Sequence, residues 1–335
     1  MEPRDELSSM ITGLRRSAAL SVAAELGISD EVAAEPLMIG ALATRVGADE
    51  DTLHRLMRVL VALGIYAEDT EGRYSNTTLG DLLRSDVPGS LRPLARTFQD
   101  PATWGAWGHL AHSVRTGENT CEALHGVDVW SYRSAHSAAN AVFNATMTAL
   151  TSRMAPAVAA AHEFVGLSTV VDVGGGDGVL LEAVLDRYEH LIGTVFDLPQ
   201  ALPSAPSAGA SESVAARWSA VSGDFFESVP AADAYLLKKV LHDWADEQCV
   251  EILTTCRRSL KPGGVLLVVE TVLDRPGREL DAALSDLNML VMPGGRERTS
   301  AEFAALFAAA GLRLSRVIDT PTEVVVLEGV VDADA

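Results

Sequence analysis

Positive charge is scarce in this chain: its 335 residues include 26 lysines and arginines against 46 aspartates and glutamates, a formal net charge of −20. Proteins that bind nucleic acid or an anionic membrane neutralise phosphates with lysine and arginine, so this balance excludes both classes. The sequence also lacks the run of about 20 apolar residues that a membrane span needs. Because no apolar run of signal-peptide type follows the charged N-terminus, we expect a cytoplasmic protein.

Cysteine is rare as well, and the three cysteines indicate neither a disulfide nor a metal site. Cys121, Cys249 and Cys256 form no C-x-x-C pair, so we expect buried, reduced thiols. Clusters of histidine and acids with metal-ligand spacing are missing too, because the candidate site acids lie singly at the ends of predicted strands. The sequence therefore predicts that no metal ion takes part.

The composition is that of a folded protein with about two domains, since 48% of the residues are hydrophobic and 21% are charged. We place the first domain at residues 1–95, where short amphipathic helices precede a predicted hairpin with strands at 65–68 and 73–75. This order has the outline of a winged helix, a shape common in DNA-binding proteins. Between residues 37 and 83, however, four arginines stand against seven acids, so we predict an interaction or dimerisation module instead.

The second predicted domain, residues 96–335, begins with a helical stretch and continues with alternating strands and helices. Residues 96–165 are rich in aromatic and methionine side chains, which fit either an ordinary core stripe or the wall of an aromatic pocket. Across residues 166–335, apolar β-branched runs alternate with helical segments, as in a doubly wound parallel sheet. Two further runs, 313–318 and 323–327, have no helix between them and predict an antiparallel end of the sheet.

The strongest local signal is the glycine-rich segment Val170–Gly178. It lies between a predicted strand and a predicted helix, where glycines let a nucleotide-type ligand approach the backbone closely. Its G-x-G-x-G spacing differs from the G-x-G-x-x-G of dinucleotide sites, and the carboxylate of Asp172 would repel a pyrophosphate. The segment therefore favours a cationic ligand.

Two more acids follow predicted strands in the same way, Asp197 at the end of the second strand and Asp224 at the end of the third. Asp197 lies where an acidic side chain binds ribose hydroxyls, and Asp224 with Phe225 could bind an adenine ring. Each residue alone fits an ordinary loop acid or a core aromatic. Because all three acids lie at the carboxyl edge of one sheet, a shared site is the better interpretation.

Five motifs, in this order along the chain, resemble those of S-adenosylmethionine (SAM)-dependent O-methyltransferases of the plant phenolic type. They are Asp172–Gly176, Asp197–Pro199, Gly223–Phe226, Leu237–Trp244 and Gly294–Thr299. The resemblance covers nearly the whole chain and extends to bacterial relatives that modify aromatic polyketides and other antibiotics. It implies an α/β, Rossmann-like methyltransferase sheet, mostly parallel with an antiparallel last strand, and an α-helical, winged-helix-like N-terminal dimerisation domain. It also implies a homodimer that converts SAM to S-adenosylhomocysteine, without a metal, and methylates a phenolic or enolic hydroxyl.

The same resemblance assigns roles to individual residues. His242 is the general base, with Glu270 and Glu297 flanking it. The cofactor-binding residues are Asp172, Gly174, Gly176, Asp197, Leu198, Asp224, Phe225, Lys238 and Arg153. The acceptor-binding residues are Phe98, Trp107, Phe143, Met147, Asp243, Asn288 and Met292. Arg153 fits a surface helix arginine nearly as well, and Asp243 fits an acid at the start of a helix.

Three alternatives stay open at this point. A relative that binds SAM but catalyses hydroxylation or decarboxylation would lack the histidine base, whereas this chain retains His242. An N-methyltransferase would bind the cofactor in the same way and differ only in its acceptor. A ligand-sensing regulator would use the winged-helix outline to bind DNA, which the local charge disfavours.

Overall fold

The computed structural model describes residues 2–331. The chain divides into two compact units, whose limits are Met1–Gly105 with His136–Leu150 for the first and Ala106–Ala135 with Thr151–Ala335 for the second. The predicted domains, residues 1–95 and 96–335, stay a prediction.

The described residues form helices and strands in an order that changes from mainly helical to alternating. The helices are α1 (Pro3–Ile11), α2 (Gly13–Leu26), α3 (Ile28–Glu31), α4 (Ile39–Val46), α5 (Glu50–Ala62), α6 (Thr78–Asp81), α7 (Arg92–Thr97), α8 (Pro101–Gly108), α9 (Leu110–Thr116), α10 (Thr120–His125), α11 (Val129–Ala135), α12 (Ser137–Ala161), α13 (Val179–Arg187), α14 (Glu212–Ala215), α15 (Asp246–Ser259), α16 (Glu279–Val291) and α17 (Ser300–Ala309). The strands are β1 (Leu37–Met38), β2 (Tyr66–Glu68), β3 (Arg73–Asn76), β4 (Thr169–Val173), β5 (Ile192–Asp197), β6 (Trp218–Ser222), β7 (Ala232–Lys238), β8 (Leu260–Glu270), β9 (Leu312–Asp319) and β10 (Val325–Val331). A 3₁₀ turn, Leu241–Asp243, lies between β7 and α15.

In the first unit, helix α5 shows how the sequence determines the local structure. Asp49 caps this helix, because its side chain accepts a hydrogen bond of 3.0 Å from the backbone N–H of Thr52. Leu53, Met57 and Leu60 share one face of the helix and are buried in the core of the unit. The predicted hairpin forms as β2 and β3, and the two-residue strand β1 adds an antiparallel third strand that the pattern did not predict.

The second unit contains a seven-stranded sheet with the order β6-β5-β4-β7-β8-β10-β9. Neighbouring strands from β6 to β8 pair in parallel, whereas β10 pairs antiparallel with both β8 and β9. The predicted mostly parallel sheet with an antiparallel end is thus confirmed. Thr299 and Glu302 form a reciprocal capping box that begins α17.

The central strands are continuous apolar runs because the sheet is buried on both faces. In β4, Val171 and Val173 pack in one core cluster and Val170 packs in another. All three cysteines are free and buried, as predicted. None of the helices within 2–331 has both the length and the apolarity to cross a bilayer. Because parallel strands point the same way, β4, β5, β7 and β8 end at one edge of the sheet, and the predicted site lies there.

Candidate active site

The glycine-rich turn connects β4 to α13 at the carboxyl edge of the sheet. Gly174 and Gly176 have left-handed φ angles of 67° and 54°, which glycine adopts without strain. A Cβ atom added to Gly176 would meet no other atom within 4 Å, so this side of the turn has room for a ligand next to the backbone. The geometry is compatible with the predicted binding of a nucleoside-type ligand.

Asp172, at the start of this turn, has a buried carboxylate without a partner. Its side chain is 1% exposed, and neither carboxylate oxygen accepts a hydrogen bond from any residue between 2 and 331. Burial, opposed by the charge of Lys238 and reinforced by that of Asp197, raises the pKa of Asp172 to about 7. An unpaired buried acid is costly to the fold, so its presence points to a ligand-binding role.

Asp197 links the glycine turn to the end of β5. Its carboxylate accepts hydrogen bonds from the backbone N–H groups of Gly176 at 2.9 Å and of Leu198 at 2.7 Å. Burial raises the pKa of Asp197 although these two bonds oppose the change. Leu198 itself is 42% exposed beside this acid. The structure therefore brings the first two predicted strand-end acids to one place, around the glycine turn.

Asp224 follows β6, the strand next to β5 in the sheet. Its carboxylate accepts a hydrogen bond of 2.8 Å from the backbone N–H of Phe226. The ring of Phe225 lies edge-on to the indole of Trp244, with 6.0 Å between the ring centres, and it packs against the core of the sheet. Packing and the local turn thus fix the positions of Asp224 and Phe225.

The two predicted cationic residues differ in their surroundings. Lys238 ends β7, and its Nζ donates a hydrogen bond of 2.8 Å to the hydroxyl oxygen of Thr151. Arg153 has 59% of its side chain exposed, and its Nη2 pairs with the carboxylate of Glu323 at 2.7 Å. Lys238 therefore lies with the acids of the site, whereas Arg153 already has an ion pair at the surface.

His242 lies on the 3₁₀ turn between two buried glutamates. Its Nδ1 is 3.0 Å from Oε1 of Glu297 and 3.6 Å from Oε2 of Glu270. Glu270 ends β8, and its Oε1 accepts hydrogen bonds from the backbone N–H groups of Val240 at 3.1 Å and of His242 at 3.3 Å. Both glutamate side chains are fully buried. The structure thus brings together the three residues that the resemblance groups as catalytic.

The second ring nitrogen of His242, Nε2, is 3.5 Å from Oδ1 of Asp243. Asp243 ends the 3₁₀ turn and does not start a helix, because α15 begins only at Asp246. Burial lowers the pKa of His242, but the carboxylates of Glu270, Asp243 and Glu297 outweigh burial and the charge of Lys239, so the pKa is raised. Groups on several elements therefore determine the pKa of this ring.

Lys239 and Ser285 belong to this cluster, although the sequence did not single them out. Nζ of Lys239 is 3.2 Å from Oε1 of Glu297, and the hydroxyl of Ser285 donates to the same oxygen at 2.6 Å. Burial raises the pKa of Glu297, but Lys239, His242 and Ser285 outweigh it and lower the pKa to about 2. Glu297 is therefore ionised at neutral pH. The feature of the sequence that could have identified Lys239 was its place beside Lys238 in the motif Leu237–Trp244.

The donor atoms of His242, Glu270 and Glu297 lie within 4.8 Å of one another, a spacing that a divalent cation could use. The ammonium group of Lys239, however, lies 3.2 Å from Glu297 and 4.0 Å from Glu270 and supplies positive charge to both carboxylates. We therefore do not assign these residues to a metal, and the absence of a metal from the reaction stays a prediction.

A buried arginine fixes the turn that carries His242. Arg298 is 1% exposed, and its guanidinium donates to the backbone carbonyls of Leu241 at 3.0 Å and Trp244 at 2.8 Å. Gly295 packs against the same turn, since a Cβ atom there would lie 2.0 Å from the carbonyl oxygen of His242. The motif that provides Glu297 therefore also holds the histidine turn in place.

The predicted acceptor-binding residues belong to both units. In the second unit, the indole Nε1 of Trp107 donates a hydrogen bond of 3.2 Å to Oδ1 of Asn288. Trp107 and Met292 also belong to one small apolar cluster. The residues of the first unit are partly buried and are Phe98, Phe143 and Met147. That these residues bind one acceptor stays a prediction.

Comparison with known proteins identifies domains of O-methyltransferases in both parts of the chain. The sequence model of the O-methyltransferase domain family matches residues 107–313, and that of the O-methyltransferase dimerisation domain matches residues 8–86. Phenazine O-methyltransferase PhzM of Lysobacter antibioticus is 39% identical over 323 residues, which cover 96% of this chain and 94% of that protein. Mitomycin biosynthesis 6-O-methyltransferase of Streptomyces lavendulae is 36% identical over 315 residues, which cover 93% and 90%. The resemblance drawn from the five motifs is confirmed.

Solved structures agree. LaPhzM has a TM-score of 0.91 at 38% identity, covering 98% of this chain and 99% of that one. Human N-acetylserotonin methyltransferase in complex with SAM has a TM-score of 0.91 at 30% identity, covering 99% of both chains. NcsB1, an O-methyltransferase from neocarzinostatin biosynthesis in complex with S-adenosylhomocysteine and 1,4-dihydroxy-2-naphthoic acid, has a TM-score of 0.77 at 34% identity, covering 95% and 96%. The predicted Rossmann-like methyltransferase fold with its dimerisation domain is confirmed; the winged-helix detail stays a prediction.

Proposed function

Because this chain belongs to the O-methyltransferase family, we propose that it moves the methyl group of SAM to a phenolic or enolic hydroxyl of an aromatic secondary metabolite. In this proposal His242 acts as the general base, Glu270 and Glu297 flank it, and no metal ion takes part. The observation that carries the proposal is the contact between Nδ1 of His242 and the buried carboxylate of Glu297, 3.0 Å away.

The contact with Glu297 decides which nitrogen of His242 accepts a proton. The ionised carboxylate accepts a hydrogen bond from Nδ1–H, which leaves the lone pair of the neutral ring on Nε2. A phenol has a pKa of about 10 and imidazole about 6.5, so proton transfer completed in advance would be uphill by roughly 5 kcal/mol. The raised pKa of His242 narrows this gap. Nε2 therefore accepts the proton while the hydroxyl oxygen reacts, and both glutamates stabilise the resulting imidazolium.

The residues at the strand ends fit SAM as the cofactor. When bound, SAM supplies an electrophilic methyl group on a positively charged sulfur. The carboxylate of Asp172, which has no hydrogen-bond partner in the described part of the chain, offers negative charge to a cationic ligand. Asp197 and Asp224 offer acceptors for a nucleoside, Phe225 offers a ring, and Gly176 leaves room beside the backbone. We assign the remaining predicted residues to the same site, namely Gly174, Leu198, Lys238 and Arg153.

An aromatic acceptor fits the side chains assigned to it. Trp107 and Met292 offer flat or adaptable apolar surface, and the amide of Asn288 offers a polar group for a neighbouring hydroxyl or carbonyl. Asp243, 3.5 Å from Nε2 of His242, can accept a hydrogen bond from a second hydroxyl. We assign Phe98, Phe143 and Met147 to the acceptor as well. A dihydroxynaphthoic acid in NcsB1 and the phenazine named for a relative have the same aromatic character.

We also propose a homodimer that works in the cytoplasm. Leu7, Met10 and Ile11 follow the spacing of one helical face of α1 and are 58%, 66% and 72% exposed. An apolar stripe of this kind in a dimerisation domain is suited to a second copy of the chain. Three free cysteines suit a reducing compartment. Size-exclusion chromatography with light scattering gives twice the chain mass if the dimer forms.

The decisive experiment combines a panel of acceptors with the replacement of His242. Purified protein and SAM are incubated with hydroxylated aromatic acids, quinones, phenazines and matching amines, and the products are weighed by mass spectrometry for the gain of one methyl group. We expect His242→Ala to slow transfer by about two to four orders of magnitude while SAM binding is retained. His112→Ala, which removes an exposed histidine paired with Glu118, is the matched control and should remain fully active.

Each outcome separates one of the alternatives. Full activity of His242→Ala would show that His242 is not the base. A methyl gain on amines alone would make the protein an N-methyltransferase. If SAM binds but no acceptor is methylated, the SAM-binding hydroxylase or decarboxylase alternative takes precedence. DNA binding that weakens steeply with salt would favour the regulator.

A further inference from the structure

Lys239 has an unusual backbone conformation at the centre of the candidate active site. Its φ angle is 55°, and within residues 2–331 it is the only residue other than glycine with a positive φ. A long side chain in this left-handed region is strained, and such strain persists only where the surrounding structure holds it. The conformation turns Lys239 away from the regular path of β7 and towards the glutamates around His242.

The ammonium group of Lys239 shares its acidic partners with His242. Nζ is 3.2 Å from Oε1 of Glu297 and 4.0 Å from Oε2 of Glu270. These are the same two oxygen atoms that lie 3.0 and 3.6 Å from Nδ1 of His242. A hydrogen bond of 2.6 Å from Nζ to the hydroxyl of Thr271 fixes the ammonium further, and only 16% of the lysine side chain is exposed. The two carboxylates are thus flanked by the ammonium group of Lys239 on one side and by the imidazole of His242 on the other.

The charge balance around His242 depends on this cation. The charged groups that face the histidine come from several elements: Asp243 from its own turn, Glu270 from β8, Glu297 from the loop before α17 and Lys239 from the residue after β7. Lys238 and Arg133 act one step further out, through Glu270 and Asp243. Without Lys239, the nearest groups are acids, and a buried cluster of acids retains protons. A proton held on His242 would leave Nε2 without a lone pair for the acceptor hydroxyl.

We propose that Lys239 is a positioning residue whose ammonium group balances the negative charge of Glu270 and Glu297, so that the two carboxylates do not hold a proton on His242 and the ring is free to accept the proton of the acceptor hydroxyl. Lys239 touches neither SAM nor the acceptor in this proposal, and it acts through the two glutamates. The inference rests on the proposed function, because the proton accepted by His242 is that of the methylated hydroxyl.

The test removes the ammonium in two ways and keeps it in a third. Lys239→Met removes the charge but keeps most of the side chain. Lys239→Gly removes it with a residue that adopts a φ of 55° without strain, so folding should not be impaired by the backbone. Lys239→Arg retains the positive charge. Lys261→Met is the matched control, since Lys261 pairs with Asp233 at 3.3 Å and is 41% exposed.

The first measurement is the pH dependence of kcat. An opposite charge within about 4–6 Å shifts a pKa by about 1–3 units, so the acidic limb should move up by about one to two pH units in Lys239→Met and Lys239→Gly. At a pH below the limb of the parent this corresponds to a loss of about tenfold to a hundredfold, with recovery at higher pH. Lys239→Arg and Lys261→Met should keep the limb of the parent. A loss of kcat that is the same at every pH would mean that Lys239 is merely structural and would overturn the inference.

The second measurement does not depend on activity. Protein labelled with ¹⁵N-histidine is titrated by NMR, and His242→Ala identifies the signal of His242. We expect the imidazole in Lys239→Gly to hold its proton to a pH about one to two units higher than in the parent. Identical titration curves would refute the inference, even if the enzyme is an active methyltransferase. An upward shift in a protein that methylates no acceptor would support the role of Lys239 and refute only the proposed function.

Discussion

Replacing Asp172 by asparagine should stabilise the protein while it weakens the binding of SAM. The carboxylate is 1% exposed and accepts no hydrogen bond within the described range 2–331, so its ionised form is poorly solvated in the folded state. Burial is the main cause that raises the pKa of Asp172 from 3.8 to about 7. At 1.36 kcal/mol per pKa unit, ionisation lowers the free energy of unfolding by about 4 kcal/mol at neutral pH and above.

The neutral amide of Asp172→Asn avoids this cost but has no partner in the same place. An unpaired buried amide costs about 1–3 kcal/mol, so the net gain should be about 1–3 kcal/mol at pH 8. The stability of the parent therefore depends on pH in the opposite way to that of a protein whose acid has a lowered pKa. Because the folded-state pKa lies above the unfolded value, the folded parent binds the proton more tightly and becomes more stable as the pH falls from about 7 to about 4. The advantage of the variant should therefore shrink over that range.

Calorimetric melting of parent and Asp172→Asn at pH 8 and pH 5, both without SAM, checks this prediction. We expect the variant to melt a few degrees higher at pH 8, with a smaller difference at pH 5. Titration calorimetry with SAM should show at least a tenfold weaker affinity, because the negative charge offered to the ligand is gone. A variant that melts lower than the parent at pH 8, or that binds SAM equally well, would refute the assignment of Asp172 as an acid kept for its ligand.

Two further substitutions test the supports of the site. Gly295→Ala places a Cβ atom 2.0 Å from the carbonyl oxygen of His242, so the histidine turn must move. We expect kcat to fall at least tenfold while the affinity for SAM is unchanged. An unchanged kcat would contradict the tight packing of Gly295 against this turn. Asn288→Leu removes the acceptor of the Trp107 indole N–H, 3.2 Å away; we expect a loss of about 1 kcal/mol in the free energy of unfolding by urea and a raised KM for the aromatic acceptor. Equal stability and equal KM in parent and Asn288→Leu would remove Asn288 from the acceptor site.

The sequence predicted those features that depend on local pattern. The apolar run of β4 followed by glycines predicted a strand, a turn and a helix, and the structure has all three. The grouping of His242 with Glu270 and Glu297 came from the resemblance, since Glu270 lies outside the five motifs and Glu297 reaches the site from a distant loop. What the resemblance provided here was the spatial relation that spacing alone cannot give.

Other features could not be predicted, for physical reasons that differ from residue to residue. A lysine ordinarily has a negative φ angle and a solvent-exposed side chain. Nothing in the sequence therefore predicts the φ of 55° or the burial of Lys239. Arg298 is almost completely buried because its guanidinium donates to the backbone carbonyls of Leu241 and Trp244 and to the carboxylate of Asp246. Only tertiary folding brings these acceptors together. The strand β1, with two residues, is too short for any alternation to be recognised, and its pairing with β3 comes from the fold.

The position of β10 has a consequence for the order of synthesis. This strand lies between β8 and β9 in the sheet although it is the last of the three along the chain, and Val325 pairs directly with Glu270. Every assigned site residue leaves the ribosome before β10 does. On the nascent chain, β8 therefore has an open edge, which the later strand must fill by a non-local pairing, a slow kind of folding step. Glu270, whose carboxylate lies beside His242, thus gains its backbone pairing with Val325 only after the rest of the site has been translated.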